Sequence, residues 1–470
     1  MISFSQKNVA ILGLGIEGQD ICRFLIKNPR PDGRGFRFLG IKKKAKITVF
    51  DQKTASELGK IVKTLKGRGV KFKLGKKYLK NGLEGFDIIF RSPAFKTSLP
   101  AITKAKKKGS KTSSATELFF KTCPAKIIGV TGTKGKGTTS TLIYKILKRA
   151  GKRVFLAGNI GQPMLTLLPK LDRKSWVVLE LSSFQLQDLN FSPHIAVVLF
   201  ITSEHLDYHH DTKEYIRAKS NIVRHQNKND LAILNADNPT SSSFARLTPA
   251  KILYFSRQKK VNGATTINGK IILDNKIIGP VKNLKLRGEH NRDNINAAIT
   301  TANSIGINKK IIKKEIFSFK GLEHRLELVT TIRKISFYND SFSTTPETAI
   351  AAIRAFREPI ILIAGGSEKG SNYNQLGKEI SKSTVKTLIL IGLTAKHIRK
   401  AVKLAKFKGE IIYRPGRMEK IVKIAFQKAK PNSVILLSPA CASFDMFKNY
   451  KDRGDQFKKN VKKINEEKTL

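Results

Sequence analysis

The 470-residue sequence has few cysteines, few acidic residues and no long apolar run. Its 3 cysteines, Cys22, Cys123 and Cys441, lie far apart without a CxxC pair, which argues against both a disulfide framework and a zinc site. No apolar stretch approaches the ~20 residues that a membrane-spanning helix needs. The first residues show no cleavable signal pattern. We therefore expect a soluble protein of the reducing cytoplasm.

The scarcity of acidic residues leaves a large positive charge. Against 89 lysine and arginine residues stand 35 acidic ones, so the formal net charge is +54 at pH 7. Such a charge favours nucleic acid, an anionic membrane or anionic small substrates as partners. Lysine is spread along the whole chain, however, and no recognisable nucleic-acid-binding module accompanies it. We interpret the charge as a lysine-rich solvated surface, and nucleic-acid binding stays open as the alternative.

Apolar strand-like segments alternate with amphipathic helical segments along the chain, without an internal repeat of solenoid period. This alternation predicts an α/β protein with mostly parallel sheets, whose ligands bind at the carboxyl ends of the strands. The chain is too long for a single core. Changes in pattern near Cys123 and Gly321 predict three domains, over residues 1–122, 123–321 and 322–470.

The first glycine-rich loop, Gly13-Leu14-Gly15-Ile16-Glu17-Gly18, lies between a predicted strand and a predicted helix and matches G-x-G-x-x-G. In this context it predicts a site for a nucleotide or a phosphate. The alternative is a tight turn whose glycines only let helix and strand pack closely. An NAD site would need an acid about 20 residues further on. The candidate acid, Asp51, lies later, so NAD is not favoured.

The second glycine-rich loop, GVTGTKGKGTT at residues 129–139, resembles a P-loop with altered spelling. It has valine at one of the glycine positions of G-x-x-x-x-G-K-[ST], and Gly137 where Ser or Thr is expected. Because it follows a strand and opens a helix, its N–H groups can bind phosphate oxygens. Lys136 would reach the β- and γ-phosphates, and Thr138 or Thr139 would bind magnesium. A mobile surface loop is the alternative.

Two polar side chains follow neighbouring apolar strands. Glu180 ends the segment WVVLE, where a P-loop fold usually directs an acid toward magnesium. A carboxylate in an apolar run is costly unless it is paired or metal-bound, although a partly exposed strand end would also accommodate it. His205, in ITSEHLD, is either a ligand or a satisfied loop residue, and the adjacent pair His209 and His210 fits a polar loop.

The motifs GTKGKGTT, LELSSFQL, ITSEHLDYH, IRAKSNI, GEHNRDNINAA and GLEHRLE occur in this order, and with them the chain resembles the Mur ligase family of ATP-dependent amide-forming enzymes. The similarity covers nearly the whole chain, and the family's loop reads G-T-x-G-K-[GST]-[ST]. Within the family, YNDS and LLSPACASFDMFKNYKDRGDQF look like the members that add D-glutamate to UDP-N-acetylmuramoyl-L-alanine. Members with other amino acids, such as L-alanine-adding enzymes, and folylpolyglutamate synthases stay open as alternatives.

The resemblance implies a domain plan and cofactors. The N-terminal domain would be Rossmann-like and hold the UDP substrate, and the central domain would be P-loop ATPase-like with a mostly parallel sheet. A C-terminal Rossmann-like domain would bring the amino acid. ATP and Mg²⁺ would serve the reaction, which would pass through an acyl phosphate. We expect a monomer with no membrane partner.

The resemblance also implies roles for individual residues, which fall into five groups. ATP would contact Gly132, Thr133, Lys134, Gly135, Lys136, Gly137, Thr138, Thr139, Asn294, Arg325 and Asp340. The UDP substrate would contact Gly13, Gly15, Ile16, Glu17, Gly18, Asp51, Ser92, Pro93 and Asn159. The amino acid would contact Lys369, Ser443 and Tyr450. Catalysis would use Lys136, Glu180, His205 and Lys219, and the metal ligands would be Thr138, Glu180, His205 and Lys219 as its carbamate.

Two positions depart from the family's pattern. Many relatives read DSKATN where this chain reads DSFSTT, so Phe342 replaces a lysine. Any charge contact of that lysine must be lost or supplied elsewhere. Tyr450 stands where phenylalanine is frequent, which adds a hydroxyl group. Both changes bear on amino-acid specificity and leave the predicted reaction class unchanged.

Overall fold

The computed structural model describes residues 4, 6–27, 45–204, 208–368 and 370–466. The strands are β1 (Asn8–Leu12), β2 (Lys46–Asp51), β3 (Lys71–Leu74), β4 (Ile88–Arg91), β5 (Lys111–Ser113), β6 (Lys126–Thr131), β7 (Val154–Gly158), β8 (Trp176–Glu180), β9 (Ile195–Val198), β10 (Leu231–Asn235), β11 (Lys251–Phe255), β12 (Thr265–Ile267), β13 (Lys270–Leu273), β14 (Lys276–Pro280), β15 (Glu327–Ile332), β16 (Ile335–Asn339), β17 (Ile360–Gly365), β18 (Val385–Ile391), β19 (Glu410–Tyr413) and β20 (Val434–Leu437).

The helices are α1 (Ile16–Lys27), α2 (Ala55–Leu58), α3 (Lys60–Lys66), α4 (Pro100–Lys107), α5 (Ala115–Thr122), α6 (Lys136–Arg149), α7 (Met164–Leu167), α8 (Ser183–Leu186), α9 (Thr212–Arg224), α10 (Pro239–Ser243), α11 (His290–Ser304), α12 (Lys309–Ser318), α13 (Pro346–Ile353), α14 (Asn374–Lys382), α15 (Ala395–Leu404), α16 (Met418–Lys428) and α17 (Tyr450–Glu466). None of the helices in the described ranges combines the length and the apolar character that crossing a membrane requires.

The chain divides into two compact units. The first unit comprises residues 1–282 and 293–316, and the second comprises residues 283–292 and 317–470. The first unit contains two parallel sheets and a small antiparallel one, and the second contains a mostly parallel sheet. The prediction of an α/β protein with mostly parallel sheets is confirmed.

The N-terminal sheet of the first unit has the strand order β3-β2-β1-β4-β5, and its strands are parallel. Residues Val9–Leu12 of the central strand β1 are fully buried, because both faces of the sheet are covered by apolar side chains. The glycine loop that follows β1 therefore lies at the carboxyl edge of this sheet, where ligands of such folds bind.

The second sheet of the first unit has the order β11-β10-β9-β6-β8-β7, again with parallel strands. Strand β6 lies between β8 and β9, so the chain leaves β6 in one direction and later returns on its other side. Such a change of direction opens a crevice at the carboxyl ends of the strands. The second glycine loop lies at this point. An antiparallel sheet, β12-β13-β14, follows in the chain.

The sheet of the second unit has the order β15-β16-β20-β17-β18-β19, in which β15 alone runs antiparallel to its neighbour within the described residues. Alternate residues of its strands enter two separate apolar clusters. Leu362, Leu388 and Leu436 belong to one cluster, and their neighbours in sequence Ile361, Ile389 and Ile435 belong to the other. The sheet is therefore buried on both faces, as parallel sheets usually are.

Candidate active site

The second glycine loop has a backbone that only glycine adopts easily. At Gly135 φ is 89°, and a Cβ atom added there would overlap the Oδ1 atom of Asn294. Helix α6 begins directly afterwards at Lys136, and no side chain of the described residues caps its N-terminus. The N–H groups of the first helical turn have no partner within the helix. They form, with the helix dipole, an anion-binding position of the kind that P-loops use for phosphate.

Two lysine side chains converge on this loop. The Nζ atom of Lys136 donates hydrogen bonds to the carbonyl oxygens of Gly132 and Thr133, both at 3.0 Å. The Nζ atom of Lys219, which extends from α9, donates to the same Gly132 oxygen at 2.9 Å. The Gly132 carbonyl oxygen thus accepts hydrogen bonds from two amines. The nearby charge of Lys136 helps to lower the pKa of the more deeply buried amine, Lys219.

Lys219 is almost fully buried, and its surroundings disfavour the protonated amine. Burial lowers the pKa of Lys219 well below its ordinary value, and the nearby charge of Lys136 lowers it further, while Glu204 and Glu180 act in the opposite direction. The amine lies 4.7 Å from the ring centre of Tyr215. A lysine with a lowered pKa is a better nucleophile at neutral pH, because more of it carries a free electron pair.

Glu180 ends β8 beside the same loop. Its Oε1 atom accepts a hydrogen bond from Asn159 Nδ2 at 2.9 Å. Its Oε2 atom is buried and has no hydrogen-bond partner among the described residues. A buried carboxylate oxygen without a partner is unfavourable. A bound cation would supply the missing interaction, and carboxylate oxygen is a preferred ligand of Mg²⁺.

The two threonine candidates for magnesium differ in their surroundings. The hydroxyl of Thr139 interacts with Asn294 Oδ1 at 3.2 Å in the buried contact between α6 and α11. Thr138, also buried in the first turn of α6, does not share this contact, and it stays our magnesium candidate. The hydroxyl of Thr133 lies 3.0 Å from the Tyr215 hydroxyl, whereas Lys134 is exposed. No three His, Cys, Asp or Glu side chains of the described ranges form a metal-binding group.

The first glycine loop packs against two other segments at the edge of its sheet. At Gly13 φ is 86°, and an added Cβ would lie 2.7 Å from Ser92 Oγ, which follows β4. The carboxylate of Asp51, at the end of β2, accepts a hydrogen bond from the N–H of Leu14 at 2.7 Å. The structure thus brings Gly13, Asp51 and Ser92 together, with the partly buried Pro93 next in the chain.

The remaining residues of this loop differ in their exposure and in their contacts. Gly15 is exposed, and 74% of Ile16 is accessible to solvent, which is high for so apolar a side chain. Gly18 is buried against the Gly13 carbonyl. Glu17 Oε1 accepts a hydrogen bond from Gln185 of α8 at 2.7 Å, and burial raises the pKa of Glu17 to about 6. The loop is therefore connected through Glu17 to α8, the helix that follows β8 in the chain.

Arg91, which the sequence does not single out, connects the end of β4 to α8 and the residues after it. Its guanidinium forms a double hydrogen bond with the carboxylate of Asp188, with N···O distances of 3.0 and 2.7 Å. It also donates to the carbonyl of Phe95 at 2.7 Å, and Tyr208 donates to the same carbonyl at 2.7 Å. An arginine at the end of a strand has no distinctive pattern in a chain with 89 basic residues, so the sequence held no signal for it.

In the second unit, Asp340 and Arg325 lie near the carboxyl end of the sheet. Asp340 is buried, accepts hydrogen bonds from Leu326 N–H and the Ser438 hydroxyl, and has a pKa raised to about 6 by burial. The Arg325 guanidinium lies 3.7 Å from the ring centre of Phe342. Phe342, the residue in place of the family's lysine, is therefore a stacking platform for an arginine.

The amino-acid candidates lie at the same end of this sheet. Ser443 is buried in the segment that follows β20, where its carbonyl accepts from the N–H of Phe447 at 2.8 Å. Tyr450 is the first residue of α17, and its ring is perpendicular to that of Phe342, with centres 5.1 Å apart. His205 and Lys369, which the sequence also predicts as site residues, lie outside the described residues.

Comparison with known proteins decides the family. A model of the "Mur ligase middle domain" matches residues 130–302, and one of the "Mur ligase, glutamate ligase domain" matches residues 324–441. The UDP-N-acetylmuramoylalanine–D-glutamate ligase of Clostridium novyi (strain NT) is 38% identical over 97% of both chains. That of Clostridium tetani (strain Massachusetts / E88) is 39% identical, again over 97% of both. The chain belongs to the Mur ligase family.

Solved structures of this family share the fold. The MurC ligase of Thermotoga maritima aligns with 97% of this chain and 100% of its own, with a TM-score of 0.59 and 16% identity. The MurF ligase of the same organism, solved in complex with ADP, aligns with 99% and 100%, with a TM-score of 0.56 and 16% identity. The family assigned from the order of the motifs is confirmed, and the chain is an ATP-dependent amide-forming ligase.

Proposed function

We propose that this Mur ligase adds D-glutamate to UDP-N-acetylmuramoyl-L-alanine, with conversion of ATP to ADP and phosphate, in the cytoplasmic synthesis of peptidoglycan precursors. The observation that carries the proposal is the similarity over 97% of both chains to ligases named for this reaction. The loop before α6, with Lys136 and the buried Glu180, supports the ATP-dependent half of the reaction.

In the first step, the carboxylate of the L-alanyl group attacks the γ-phosphorus of ATP. A bond forms between carboxylate oxygen and phosphorus, the bond to the bridging oxygen breaks, and ADP leaves. Because both reactants are anions, the step needs positive charge around the phosphates. Lys136 would move from the Gly132 and Thr133 carbonyls to the phosphates, and the N–H groups of Gly137 and Thr138 would donate to phosphate oxygens.

The protein residues present fit a magnesium ion. The Oε2 atom of Glu180, buried without a hydrogen-bond partner among the described residues, is a ready oxygen ligand, and the Thr138 hydroxyl and His205 would complete the set. When bound, the ion would neutralise negative charge on the phosphates. Asn159 would keep the Glu180 carboxylate oriented through its 2.9 Å hydrogen bond.

In the second step, the amine of D-glutamate attacks the acyl carbon of the acyl phosphate. An amide bond forms, phosphate leaves with the bonding electrons, and the amine loses a proton. Ser443, Tyr450 and Lys369 would bind the amino acid, whose two carboxylates suit a cation and hydroxyl donors. Arg325, Asp340 and Asn294 would contact ATP. The first glycine loop, with Asp51, Ser92 and Pro93, would hold the UDP part.

We further propose that Lys219 carries a carbamate in the active enzyme. Its free amine would attack the carbon of CO₂ and lose a proton, giving an anionic group that is a magnesium ligand. The lowered pKa of Lys219 supports this, because only the neutral amine reacts. Enzyme equilibrated with ¹³C-bicarbonate should give a carbamate ¹³C resonance that is missing in Lys219→Met. A spectrum without that resonance in the wild type would refute the modification.

The division of labour among three domains, 1–122, 123–321 and 322–470, and a monomeric state belong to the same proposal. The N-terminal sheet would serve the UDP substrate, the second sheet ATP, and the third sheet the amino acid. Each of these three sheets has candidate residues at the carboxyl ends of its strands, which supports one substrate for each sheet.

The decisive experiment is a substrate panel. Phosphate release from ATP is expected only when UDP-N-acetylmuramoyl-L-alanine, D-glutamate and Mg²⁺ are all present, and the product mass should equal that of the acceptor plus one glutamyl residue. L-glutamate, L-alanine and D-alanine serve as matched amino acids. Turnover with one of these but not with D-glutamate would identify a different Mur ligase activity, and no turnover with D-glutamate would reject the assignment.

A further inference from the structure

Arg453, in the first turns of α17, is fully buried. No carboxylate of the described residues lies within ion-pair distance of its guanidinium, and burial lowers the pKa of Arg453 to about 10. A buried cation without an ion pair is unfavourable unless hydrogen bonds compensate for the lost hydration. The partners of this guanidinium therefore indicate what the residue does.

The guanidinium joins two chain segments. Its Nε atom donates to the hydroxyl of Ser341 at 2.9 Å, and Nη2 donates to the carbonyl of the same residue at 2.9 Å. Nη2 also donates to the carbonyl of Cys441 at 3.1 Å, and Nη1 donates to that of Ala442 at 3.2 Å. Ser341 follows β16, whereas Cys441 and Ala442 follow β20. One rigid planar group thus spans the ends of two adjacent strands.

Further hydrogen bonds extend this connection. The Ser341 hydroxyl donates to the carbonyl of Tyr450 at 2.7 Å, which ties the start of α17 to the same point. The carbonyl of Ala442 also accepts from the N–H of Ser367, at 2.9 Å, and Ser367 follows β17. The segments after three neighbouring strands therefore meet at Arg453.

These segments carry residues that the proposed function uses. Asp340 immediately precedes Ser341, Ser443 immediately follows Ala442, and Tyr450 lies three residues before Arg453 in α17. Four hydrogen bonds join the guanidinium of Arg453 to protein oxygens, so we assign it no contact with a substrate. Its contacts instead fix where the neighbouring side chains lie.

We propose that Arg453 is a positioning residue of the amino-acid site, which holds the segment bearing Ser443 against the segment bearing Asp340. The inference rests on the proposed function for the identity of the amino acid. Lysine, with a single ammonium group, cannot reproduce the planar fork that reaches both segments. Hydrogen bonds to a buried charged group are among the stronger ones, so losing this geometry should weaken amino-acid binding about tenfold or more.

The test compares Arg453→Lys with Arg354→Lys, which makes the same exchange at an exposed arginine of the same unit. For Arg453→Lys we expect KM for D-glutamate to rise about tenfold or more. We expect KM for UDP-N-acetylmuramoyl-L-alanine to stay within about twofold, because the residues proposed for it lie in the other unit. Arg354→Lys should leave all KM values unchanged. A folded Arg453→Lys with an unchanged KM for D-glutamate, or with all KM values raised equally, would overturn the inference.

A second variant covers the case in which Arg453→Lys does not fold. Ser341→Ala keeps the guanidinium and its three bonds to backbone carbonyls, but it removes the Nε acceptor and the link to Tyr450. It should raise KM for D-glutamate about threefold or more, and an unchanged value would overturn the inference.

The two proposals fail in different ways. If the wild type does not use D-glutamate, the proposed function fails, and hydrogen exchange then tests the positioning role. Amides of residues 438–447 should exchange faster in Ser341→Ala than in the wild type. Unchanged exchange there would reject the role of Arg453 whatever the substrate is.

Discussion

At the scale of single residues, the Gly132 carbonyl accepts hydrogen bonds from two amines in different surroundings. Lys136 is partly exposed, whereas Lys219 is almost fully buried. The burial of Lys219 lowers its pKa, and the proximity of Lys136 adds to the effect. The same small volume therefore holds a partly exposed amine and a buried amine whose pKa is lowered.

Replacing Lys136 by alanine should abolish acyl-phosphate formation. The side chain belongs to the first residue of α6, beside the proposed phosphate position, and removing a preorganised group of this kind lowers kcat by about 10²–10³-fold. Lys148→Ala, an exposed lysine at the other end of the same helix, is the control and should turn over normally. Phosphate release under saturating substrates measures both. Near-normal turnover of Lys136→Ala would contradict the proposed role of the loop.

Lys219 should make stability depend on pH. Its folded pKa is lowered, so between that value and its ordinary value near 10.5 the unfolded chain binds the proton and the native protein does not. The stability contributed by the wild-type lysine relative to Lys219→Met therefore rises with pH across this window, by at most about 1.4 kcal/mol per pH unit.

Urea unfolding of both proteins in CO₂-free buffer, from pH 6.5 to 9.5, measures this difference. Lys148→Met, at an exposed position, is the control for which the difference from wild type should stay flat. A flat difference for Lys219→Met as well would mean that burial does not perturb this amine.

The sequence pattern predicts some residues of the candidate site and gives no indication of others. Lys136 and Glu180 follow apolar strands at the positions where phosphate and metal ligands occur in such folds, so their position in the sequence alone predicts them. Lys219 and Arg453 were different, because one basic side chain among 89 has no distinguishing pattern. Lys219 is predicted only by the family resemblance. The role of Arg453 depends on its contacts with residues distant in sequence, which only the fold brings together.

At the scale of elements, the turn after β7 determines where Glu180 lies. At Gly158 φ is 97°, and an added Cβ would overlap the backbone carbonyl of Glu180. The N–H of the next residue, Asn159, donates to that same carbonyl at 3.0 Å. The end of β7 thus holds both the backbone and, through Asn159 Nδ2, the carboxylate of Glu180.

Gly158→Ala should therefore displace Glu180 and reduce ATP-dependent turnover about tenfold or more, since misplacement by about 1 Å costs up to about 10² in rate. Gly151→Ala is the matched control. Its φ is 73°, also left-handed, but an added Cβ would meet nothing within 4 Å. We expect it to lose only about 1–2 kcal/mol of stability, from backbone strain, and to keep wild-type turnover. Equal effects of the two substitutions on turnover would show that strain alone explains the loss.

The sequence predicted the long apolar elements well and the short ones poorly. Strands β1, β2, β4, β6, β8, β9 and β16–β20 follow from their apolar runs and the turns that end them. The short strands β3 (KFKL) and β5 (KTS) were not predicted, because their composition is that of a solvated loop. The antiparallel sheet β12-β13-β14 was also missed. Its strands of 3–5 residues are too short to show a clear alternation.

At the scale of the whole molecule, the positive charge is larger than the chemistry requires. UDP, ATP and an acidic amino acid are anions, and a positive field would favour their approach. A formal charge of +54 exceeds that need, and nothing in the structure explains the excess. Whatever its role in binding, a net charge of this size causes repulsion within the folded state.

The repulsion among these charges leads to a prediction about how salt changes the melting temperature. Like charges repel one another more in the compact state than in the expanded one, and salt screens this repulsion over a Debye length that falls from about 30 Å at 0.01 M to about 10 Å at 0.1 M. The melting temperature should therefore rise with NaCl between these concentrations, although screening also weakens surface ion pairs.

A variant with fewer positive charges provides the control. In it, four exposed lysines that have no ion pair among the described residues are changed to glutamine: Lys106, Lys107, Lys313 and Lys314. The variant should melt higher than the wild type at 0.01 M and gain less from salt, because it has less repulsion to screen. A wild-type melting temperature that falls with salt would mean that attractive ion pairs outweigh the net charge.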